Sequence, residues 1–356
     1  MKIQLSATPL PLLLLLTASI ALLPPFQSGC GGKAGGPSVV VYASLDEHYA
    51  KPVLREFERR TGIRVLERFD TEADKTTGLY LRILSEKSRP QADVFWNNEI
   101  LRTVLLAESG AFAGFTPQAS VGIPAAFQDN DGHWTGFAAR ARIIIYNKGL
   151  VPADRLPRSI AELSDGRFKD KACIAVPLFG TTATHVGALR SVLGREGLEA
   201  LLRRWKGNGV RAVNGNAVVR DLVASGEMAL GLTDTDDAHE ALRAGKPVGI
   251  IFPDQDAPFP GRDRPLGTFL IPNTVALVAD GPGSEAGRLL IEFLLSAEVE
   301  QMLERSGSAQ IPLRKGLPPP EGLAIPKDFR AMEVDYAAAA KALQEAEPFL
   351  RDLYLK

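Results

Sequence analysis

The sequence has few cysteines and no surplus of positive charge, and each shortage excludes a class of protein. Two cysteines among 356 residues cannot form a disulfide framework or a four-ligand thiolate site. The 41 Lys and Arg residues are balanced by 42 Asp and Glu residues, so no basic excess is available to bind nucleic acid by counterion release. A composition of 45% hydrophobic and 23% charged residues is that of a globular chain with one large or two medium domains.

The signatures of common hydrolases are also missing from the sequence. It contains no Gly-x-Ser-x-Gly nucleophile elbow, no His-Glu-x-x-His zinc motif and no pair of neighbouring cysteines, and it has only four histidines. We therefore expect no enzymatic activity and no cofactor. A secreted enzyme that uses carboxylates as acid and base is the alternative, and turnover of a ligand by the purified protein would favour it.

The amino terminus is typical of a secretory signal. Lys2 precedes an almost wholly apolar stretch at residues 10–23, which is short and is ended by Pro24 and Pro25. These features indicate a cleaved signal peptide and not a membrane-spanning helix. No later segment of the sequence approaches the length of a membrane span.

A lipoprotein-like cleavage site follows the apolar stretch. Ser28 and Gly29 are small residues directly before Cys30, an arrangement that resembles the site at which bacterial lipoproteins are cleaved and lipidated. We predict that residues 1–30 are the signal peptide with Cys30 as the lipidation site, and that the Gly-rich residues 31–38 are a flexible tether. The chain would then lie in the periplasm or at the cell surface. An ordinary secretory signal without a lipid is the alternative.

From residue 39 onward, strand and helix patterns alternate. Residues 39–43 form a continuous apolar run rich in valine, which is typical of a buried parallel strand. The next helix shows its apolar residues on one face and ends at Gly62, and further strands are predicted at residues 63–69 and 93–96. This β-α-β-α-β-α order predicts an α/β fold with a parallel sheet and right-handed crossovers.

Two long apolar segments indicate a chain that leaves one lobe and later returns to it. They lie at residues 137–147 and 267–278, and a second β/α series fills residues 172–252 between them. Two lobes joined by two extended crossings would pivot around a cleft, with the carboxyl ends of both sets of strands facing it. The predicted bounds are residues 39–138 and 268–305 for lobe 1, residues 139–267 for lobe 2, and residues 306–356 for a C-terminal helical segment.

Several motifs lie in a characteristic order along residues 39–310. The motifs are the first strand with Ser44, Asp93 to Glu99 (DVFWNNE), residues 134–142 (WTGFAARAR) with Tyr146 and Asn147, residues 180–184 (GTTAT), residues 216–226, and Pro272 with Asn273. In these motifs and their order the chain is similar to ferric-ion-type (family 1) extracellular solute-binding proteins of bacterial ABC importers. The resemblance implies a type II periplasmic binding protein fold, with two β/α sheets joined by a two-strand hinge, and delivery of a solute to an ABC permease in the cytoplasmic membrane.

Within that fold, turns from both lobes are expected to meet at the ligand. Ferric members of the family place two adjacent tyrosines after the strand that corresponds to residues 228–233, where this chain has Thr233 to Asp237 (TDTDD). They often carry a histidine in the first strand-to-helix turn, where Asp46 stands here. The predicted ligand-binding residues are Ser44, Asp46, Asn97, Asn98, Glu99, Arg140, Gly180, Thr181, Thr182, Thr184, Asn216, Asp234, Asp236 and Asp237.

Four of these residues carry carboxylates that would repel one another unless a cation lay between them. They are Asp46, Glu99, Asp236 and Asp237, and we predict them as metal ligands. Oxygen ligands favour hard cations such as Fe³⁺ or a divalent ion, although an organic ammonium group would also satisfy them. The alternative for Asp236 and Asp237 is that they only cap a helix and complement its dipole.

An anion-binding element is predicted opposite the acids. Residues 180–184 open a helix whose free N–H groups and hydroxyls could hold an anionic part of the ligand, and Arg140 and Arg142 alternate on one face of the crossing strand. Simple helix capping by Thr181 and by Asn216, and ion pairs of the two arginines with acids in the hinge, are the alternatives.

We therefore expect an extracytoplasmic receptor that captures a small charged solute by lobe closure. Ferric iron or another hard cation is the expected solute, bound as cargo and not as a cofactor. An organic solute with amine and acid groups, such as an aminated phosphonate, is the alternative, as is a ligand sensor without a transport role. The family resemblance implies a monomer, and no nucleic-acid partner is expected.

Overall fold

The computed structural model describes residues 36–70 and 78–356. The predicted signal peptide, Cys30 and most of the predicted tether lie outside these residues. In the described part of the chain, no helix is both long and apolar enough to cross a membrane.

A mixed sheet runs through the described part of the chain. Its strand order is β2-β1-β3-β9-β4-β7-β5-β6, and β8 pairs with β4 beside this path. Two of the strands, β6 and β8, are three and four residues long and were not predicted. The strands are β1 Ser38–Ala43, β2 Arg64–Phe69, β3 Val94–Asn97, β4 Thr135–Asn147, β5 Ala172–Ala175, β6 Arg211–Val213, β7 Leu230–Asp234, β8 Val248–Ile251 and β9 Leu270–Leu277.

Helices cover both faces of the sheet. Gly62 takes a left-handed conformation, φ 70°, and ends the first helix as predicted. The α-helices are α1 Glu47–Thr61, α2 Gly78–Glu86, α3 Ile100–Glu108, α4 Gly180–Gly207, α5 Asn216–Ser225, α6 Thr235–Arg243, α7 Ser284–Leu294, α8 Ala297–Arg305 and α9 Tyr336–Leu355. Short 3-10 helices lie at Gln118–Ser120, Ala125–Phe127, Ala153–Arg155, Ile160–Ser164 and Gly166–Phe168.

The predicted α/β architecture with two crossing strands is confirmed. Strand β1 pairs in parallel with β2 and β3, and β5 pairs in parallel with β6 and β7. Strand β4 belongs to both halves of the sheet, because residues 135–141 pair with β9 whereas residues 142–147 pair with β7 and β8. A bulge at Ala138, whose φ is 41°, shifts the register in the β4–β9 ladder.

Three hydrophobic clusters stabilise the described residues. One packs α1, α7 and α8 on the first half of the sheet, and another packs α5 and α6 on the second half. The third includes α3, α4 and α9 and therefore continues across both halves. Gly187 of α4 permits this contact, because a Cβ there would lie 2.7 Å from the Ala339 carbonyl oxygen and 2.8 Å from Leu101 Cδ1.

Residues 284–303 form two helices with a break between Leu294 and Ala297, and the Ser296 hydroxyl caps the second helix. The C-terminal segment, predicted to be helical over residues 306–356, is helical only at α9, since residues 306–335 form turns and isolated bridges and bury some of their side chains, such as Gln310. Proline-rich sequence in that stretch, such as Pro318 to Pro320, prevents a regular helix.

Candidate functional site

Asp234 is the centre of a buried polar network. It is the last residue of β7, and its side chain is fully buried. Its Oδ1 accepts a hydrogen bond from Arg142 Nη1 at 2.7 Å, and its Oδ2 accepts from Thr181 Oγ1 at 2.6 Å and from Asn216 Nδ2 at 3.0 Å. Arg140 Nη1 adds a longer contact of 3.3 Å. The charge of Asp234 is therefore balanced by side chains of the protein itself.

Arg142 ties the starts of two helices to the crossing strand. The register of β4 and β7 places Arg142 directly opposite Asp234. Its Nη1 also lies 3.3 Å from Thr181 Oγ1 and 3.2 Å from Asn216 Oδ1, and its Nη2 lies 3.2 Å from Thr182 Oγ1. The hydroxyls and amide predicted to hold an anion are thus engaged with Arg142 and Asp234.

These contacts decide between the alternatives for Thr181 and Asn216. Neither residue caps its helix, because the N-cap positions are Phe179 for α4 and Gly215 for α5. Both side chains instead face the network around Asp234. Gly180, the first residue of α4, has a φ of 57°, a conformation that glycine adopts without strain.

Arg140 connects the two halves of the molecule. It lies two residues before Arg142 on β4, so both side chains project from the same face of the strand. Its Nη2 donates to the backbone oxygen of Asn98, while its Nη1 lies 3.5 Å from Asp236 Oδ2. Burial acts to lower the pKa of Arg140, but the surrounding carboxylates, Asp236 foremost, hold that pKa above its usual value.

Asp236 and Asp237 place further negative charge beside this network. One carboxylate oxygen from each, together with one from Asp234, lies within 4.8 Å of the other two. Thr233 Oγ1 donates to Asp237 Oδ2 at 3.0 Å, and the Asp237 N–H donates to Asp236 Oδ1 at 3.0 Å. The donors in these two hydrogen bonds are a hydroxyl and a backbone N–H, which carry no positive charge, so they do not neutralise either carboxylate.

Electrostatics confirm that the acids are crowded. Burial is the largest cause that raises the pKa of Asp236, opposed by Arg140 and reinforced by Asp234 and Asp46. Burial and repulsion from Asp236 and Asp234 raise the pKa of Asp237 well above its ordinary range. The two arginines, one of them paired with Asp234, leave this group of acids with a surplus of negative charge.

The residues predicted from the first half have mixed roles. Ser44 Oγ donates to Asn97 Oδ1 at 2.5 Å, and Asn97 Nδ2 in turn donates to Thr103 Oγ1 at 3.1 Å. Both side chains are buried and satisfied by these contacts. They hold the ends of β1 and β3 together and present no free atom to a ligand.

Glu99, predicted as a cation ligand, is engaged as a helix cap. Its carboxylate accepts from the N–H groups of Leu101 at 2.6 Å and Arg102 at 3.0 Å, at the start of α3. Thr184 Oγ1 of α4 donates to the same carboxylate at 2.5 Å. These donors satisfy the carboxylate and link the two halves of the sheet across α3 and α4.

Asn98 differs from the other predicted residues of the first half, because one of its side-chain atoms is unsatisfied. Its side chain is 4% exposed, and its Oδ1 is buried without a hydrogen-bond partner in residues 36–70 and 78–356. Its backbone oxygen accepts from Arg140, which also contacts Asp234 and Asp236. A buried oxygen without a hydrogen-bond partner destabilises the folded chain unless a ligand contacts it.

Tyr49 is a half-buried residue that is affected by the charges of this group of acids. It lies in the first turn of α1, and its N–H donates to the Asp46 carbonyl at 2.9 Å. Burial, followed by the negative charges of Asp236, Glu240 and Asp46, raises the pKa of Tyr49 to about 12.

His185 and Cys173 are packing residues. His185 is buried, its ring stacks on Phe269 with centroids 5.4 Å apart, and burial lowers its pKa well below the usual value. Cys173 is a free, buried cysteine, and burial raises the pKa of its thiol to about 12. Both side chains therefore contribute to packing.

Known proteins share this sequence pattern and this fold. A family profile described as bacterial extracellular solute-binding protein matches residues 103–342. "Iron uptake protein A1" of Synechocystis is 27% identical over 346 residues, which cover 91% of this chain and 92% of the relative. The "Putative 2-aminoethylphosphonate-binding periplasmic protein" of Salmonella typhi is 27% identical over 265 residues, which cover 74% of this chain and 71% of the relative.

A solved structure gives the same architecture. The structure of iron-bound HitA from Pseudomonas aeruginosa superposes with a TM-score of 0.77 and 22% identity, covering 89% of this chain and 99% of HitA. The described part of the chain therefore has the two-lobed fold of type II periplasmic binding proteins. With its profile match over residues 103–342, the chain belongs to the bacterial extracellular solute-binding protein family.

Proposed function

We propose that the chain is a receptor for ferric iron or another hard cation, which it delivers to an ABC permease. The observation that carries the proposal is the group of Asp236, Asp237 and the paired Asp234, whose carboxylate oxygens lie within 4.8 Å of one another. Arg142 pairs with Asp234, and Arg140 lies between Asp234 and Asp236, so three carboxylates face two arginines and the excess negative charge can attract a cation. Burial is the main cause that raises the pKa values of Asp236 and Asp237, and repulsion from neighbouring carboxylates adds to it; a bound cation would favour the charged form of both.

The proposed ligands come from both halves of the molecule. Asp236 and Asp237 lie in the first turn of α6, and Asp46 immediately precedes α1 and is close enough to repel Asp236. Asn98 Oδ1, buried and without a partner in the described residues, is the fourth oxygen. We place Glu99 outside the ligand set, because its carboxylate already accepts three hydrogen bonds.

Capture would proceed by closure of the two lobes. We assign residues 39–138 and 268–305 to lobe 1 and residues 139–267 to lobe 2, with β4 and β9 as the crossings. Ligand contacts that form only in the closed state would shift the equilibrium toward closure. The closed form would be the one that the permease recognises.

The remaining properties follow from this role. The chain would act as a monomer without catalytic activity, cofactor or nucleic-acid partner, since its site holds a cargo and no reacting group. Residues 1–30 would direct export, and Cys30 would carry a lipid that anchors the receptor to the membrane. A ligand sensor would share all these features, and loss of iron uptake in a deletion strain distinguishes transport from sensing.

An organic solute with amine and acid groups is the second candidate. It is favoured by the similarity to the aminophosphonate-binding relative and by the sequence at Thr233 to Asp237, which has no tyrosine. Against it, Thr181 and Thr182, which would bind the acid group, are engaged with Asp234 and Arg142.

The test is a titration of the purified mature chain with ferric ion supplied as its nitrilotriacetate complex. Asp236→Asn combined with Asp237→Asn should lower the affinity by roughly 100-fold or more, since two charged ligands are lost. The same variant should be no less stable than wild type in the ligand-free state, because the repulsion is removed. Asp129→Asn with Asp131→Asn, in another acidic group, is the matched control and should bind normally.

Two results would contradict the proposal. Unchanged ferric affinity in the Asp236→Asn, Asp237→Asn variant would support the alternative that these residues only cap a helix and complement its dipole. Tight binding of 2-aminoethylphosphonate by the wild-type chain, with no binding of ferric ion, would favour the organic solute.

A further inference from the structure

One end of the second half of the sheet is rich in basic residues. It is the end at which β5, β6, β7 and β8 begin and β4 ends, and it lies opposite the end that carries Asp234. We call it the basic end and define it as residues 147–150, 169–171, 204–211, 227–230 and 245–248. Its seven cationic side chains exceed its two acidic ones, whereas the whole chain is nearly neutral with a formal charge of −1. The cations are Lys148, Lys169, Lys171, Arg204, Lys206, Arg211 and Lys246, and the acids are Asp170 and Glu227.

Backbone hydrogen bonds join the segments of the basic end into one row. The N–H of Lys148 donates to the Pro247 carbonyl at 2.8 Å, which joins the end of β4 to the start of β8. The N–H of Asn147 donates to the Ala229 carbonyl at 2.8 Å, and the N–H of Ala229 donates to the Lys171 carbonyl at 2.9 Å. Because neighbouring strands lie about 4.8 Å apart, the lysines at the ends of β8, β4 and β5 form a row about 15 Å long.

Most cations of the basic end have no acidic partner. Arg211 pairs with Glu227 at 2.7 Å, and Lys206 donates to the Leu353 carbonyl at the end of α9. Asp170 is the other acid of the basic end, and it is exposed. The remaining cations are also exposed and form no ion pair with any residue of 36–70 and 78–356; they are Lys148, Lys169, Lys171, Arg204 and Lys246. The basic end therefore presents positive charge that the chain itself does not balance.

An exposed apolar side chain lies in the same row. Leu150 is 53% exposed and follows Lys148 in the turn after β4, where its N–H donates to the Asn147 carbonyl at 3.1 Å. Its Cδ1 would lie 3.8 Å from a Cβ built on Gly226, directly before Glu227. A leucine among lysines is typical of a surface that contacts lipid headgroups and the apolar layer beneath them.

We propose that the basic end binds the surface of a membrane that contains anionic phospholipids. Five of its seven cations are lysines, whose ammonium groups are flexible point charges and match the diffuse charge of headgroups rather than one bidentate partner. Lysines this close together act jointly on an anionic surface, because their spacing is comparable to the screening length. The contact goes beyond the proposed function. Since Asp236 and Asp237 follow the other end of β7, it leaves the proposed cation ligands uncovered.

Co-sedimentation with lipid vesicles tests the contact. The unlipidated mature chain would be mixed with vesicles of phosphatidylcholine alone or of phosphatidylcholine with phosphatidylglycerol. The wild-type chain should bind the vesicles that contain phosphatidylglycerol at low salt, be released at high salt, and leave pure phosphatidylcholine unbound. Lys148→Gln combined with Lys171→Gln and Lys246→Gln should lower the binding to anionic vesicles roughly 10-fold or more. Leu150→Ser should lower it to a smaller extent.

A second triple variant is the matched control. Lys315→Gln with Lys327→Gln and Lys341→Gln removes the same charge from exposed lysines outside the basic end and should bind nearly as the wild type does. A wild-type chain that does not bind anionic vesicles, or an equal loss in both triple variants, would overturn the proposal. Binding to polyglutamate but not to vesicles would assign the basic end to an acidic protein and would also overturn it. Each of these outcomes is separate from the ferric titration, which tests the proposed function.

Discussion

The Arg142–Asp234 pair offers the sharpest prediction about how the site is built. Both side chains have 0% exposure, and their closest N–O distance is 2.7 Å. Replacing Arg142 with methionine would leave a buried carboxylate supported by Thr181, Asn216 and the more distant Arg140. The loss of one partner of a buried ion pair costs about 3–5 kcal/mol of unfolding free energy.

A double-mutant cycle measures this coupling. Arg142→Met, Asp234→Asn and the combined variant would be compared by urea unfolding of the mature chain. The combined variant should be more stable than the sum of the single losses predicts, by about 2 kcal/mol or more, because no charge is left unpaired. Arg351 and Glu347, a surface pair in α9 with 57% and 51% exposure, are the reference and should couple by at most about 0.5 kcal/mol.

Additive losses at the buried pair would contradict a strong coupling between Arg142 and Asp234. Additivity would mean that Asp234 is neutralised by another group, or that it is protonated in the folded chain. It would also remove the reason for treating Asp234 as satisfied and Asp236 and Asp237 as the acids that await a cation.

Burial raises the pKa of Asp254 from 3.8 to about 7, so the folded chain retains a proton that the unfolded chain releases. The free energy of unfolding should therefore fall by up to about 4 kcal/mol as the pH rises from 4 to above 7. Asp254→Asn should remove that decline, whereas Asp280→Asn, at an exposed aspartate that also has a positive φ, should leave it unchanged. Gly187→Ala should lower the melting temperature and reduce the free energy of unfolding by about 1–3 kcal/mol, because the added Cβ would lie 2.7 Å from the Ala339 carbonyl oxygen. Gly207→Ala is the control and should leave the melting temperature nearly unchanged, because its Cβ would meet no described atom within 4 Å.

Much of the fold was predictable because its elements are local patterns. The valine run at residues 39–43, the helix that ends at Gly62 and the two long crossing segments each became the expected element. The C-terminal segment was predicted less well, because residues 306–335 lack periodicity and take their place from contacts with the finished fold. The short strands β6 and β8 carry too few residues to show alternation.

The site was predictable in its members but not in their roles. The predicted residues Thr181, Asn216 and Asp234 do lie in contact. This was predictable because the carboxyl ends of strands and the starts of the following helices lie at the same edge of a sheet. The sequence could not reveal that β4 and β7 pair with Arg142 opposite Asp234, because register is a tertiary property. Hence the engagement of the threonine hydroxyls became visible only in the folded chain.

Glu99 and Tyr49 are two residues whose surroundings could not be predicted from the sequence. Glu99 directly precedes α3, and the sequence did not distinguish its capping role from a ligand role. Tyr49 has the sequence context of any half-buried helix residue, and the sequence did not show that burial and the charge of Asp236 raise its pKa. The N–H groups that Glu99 caps are two and three residues away, whereas the Thr184 hydroxyl that also binds its carboxylate lies far along the chain.

Elemental analysis combined with native mass spectrometry tests the central claim most directly. The receptor would be purified from cells without chelators, and its bound metal and intact mass would be compared with those of the Asp236→Asn, Asp237→Asn variant. We predict about one equivalent of iron in the wild-type chain and none in the variant. A wild-type chain that carries an organic solute and no metal would contradict the claim.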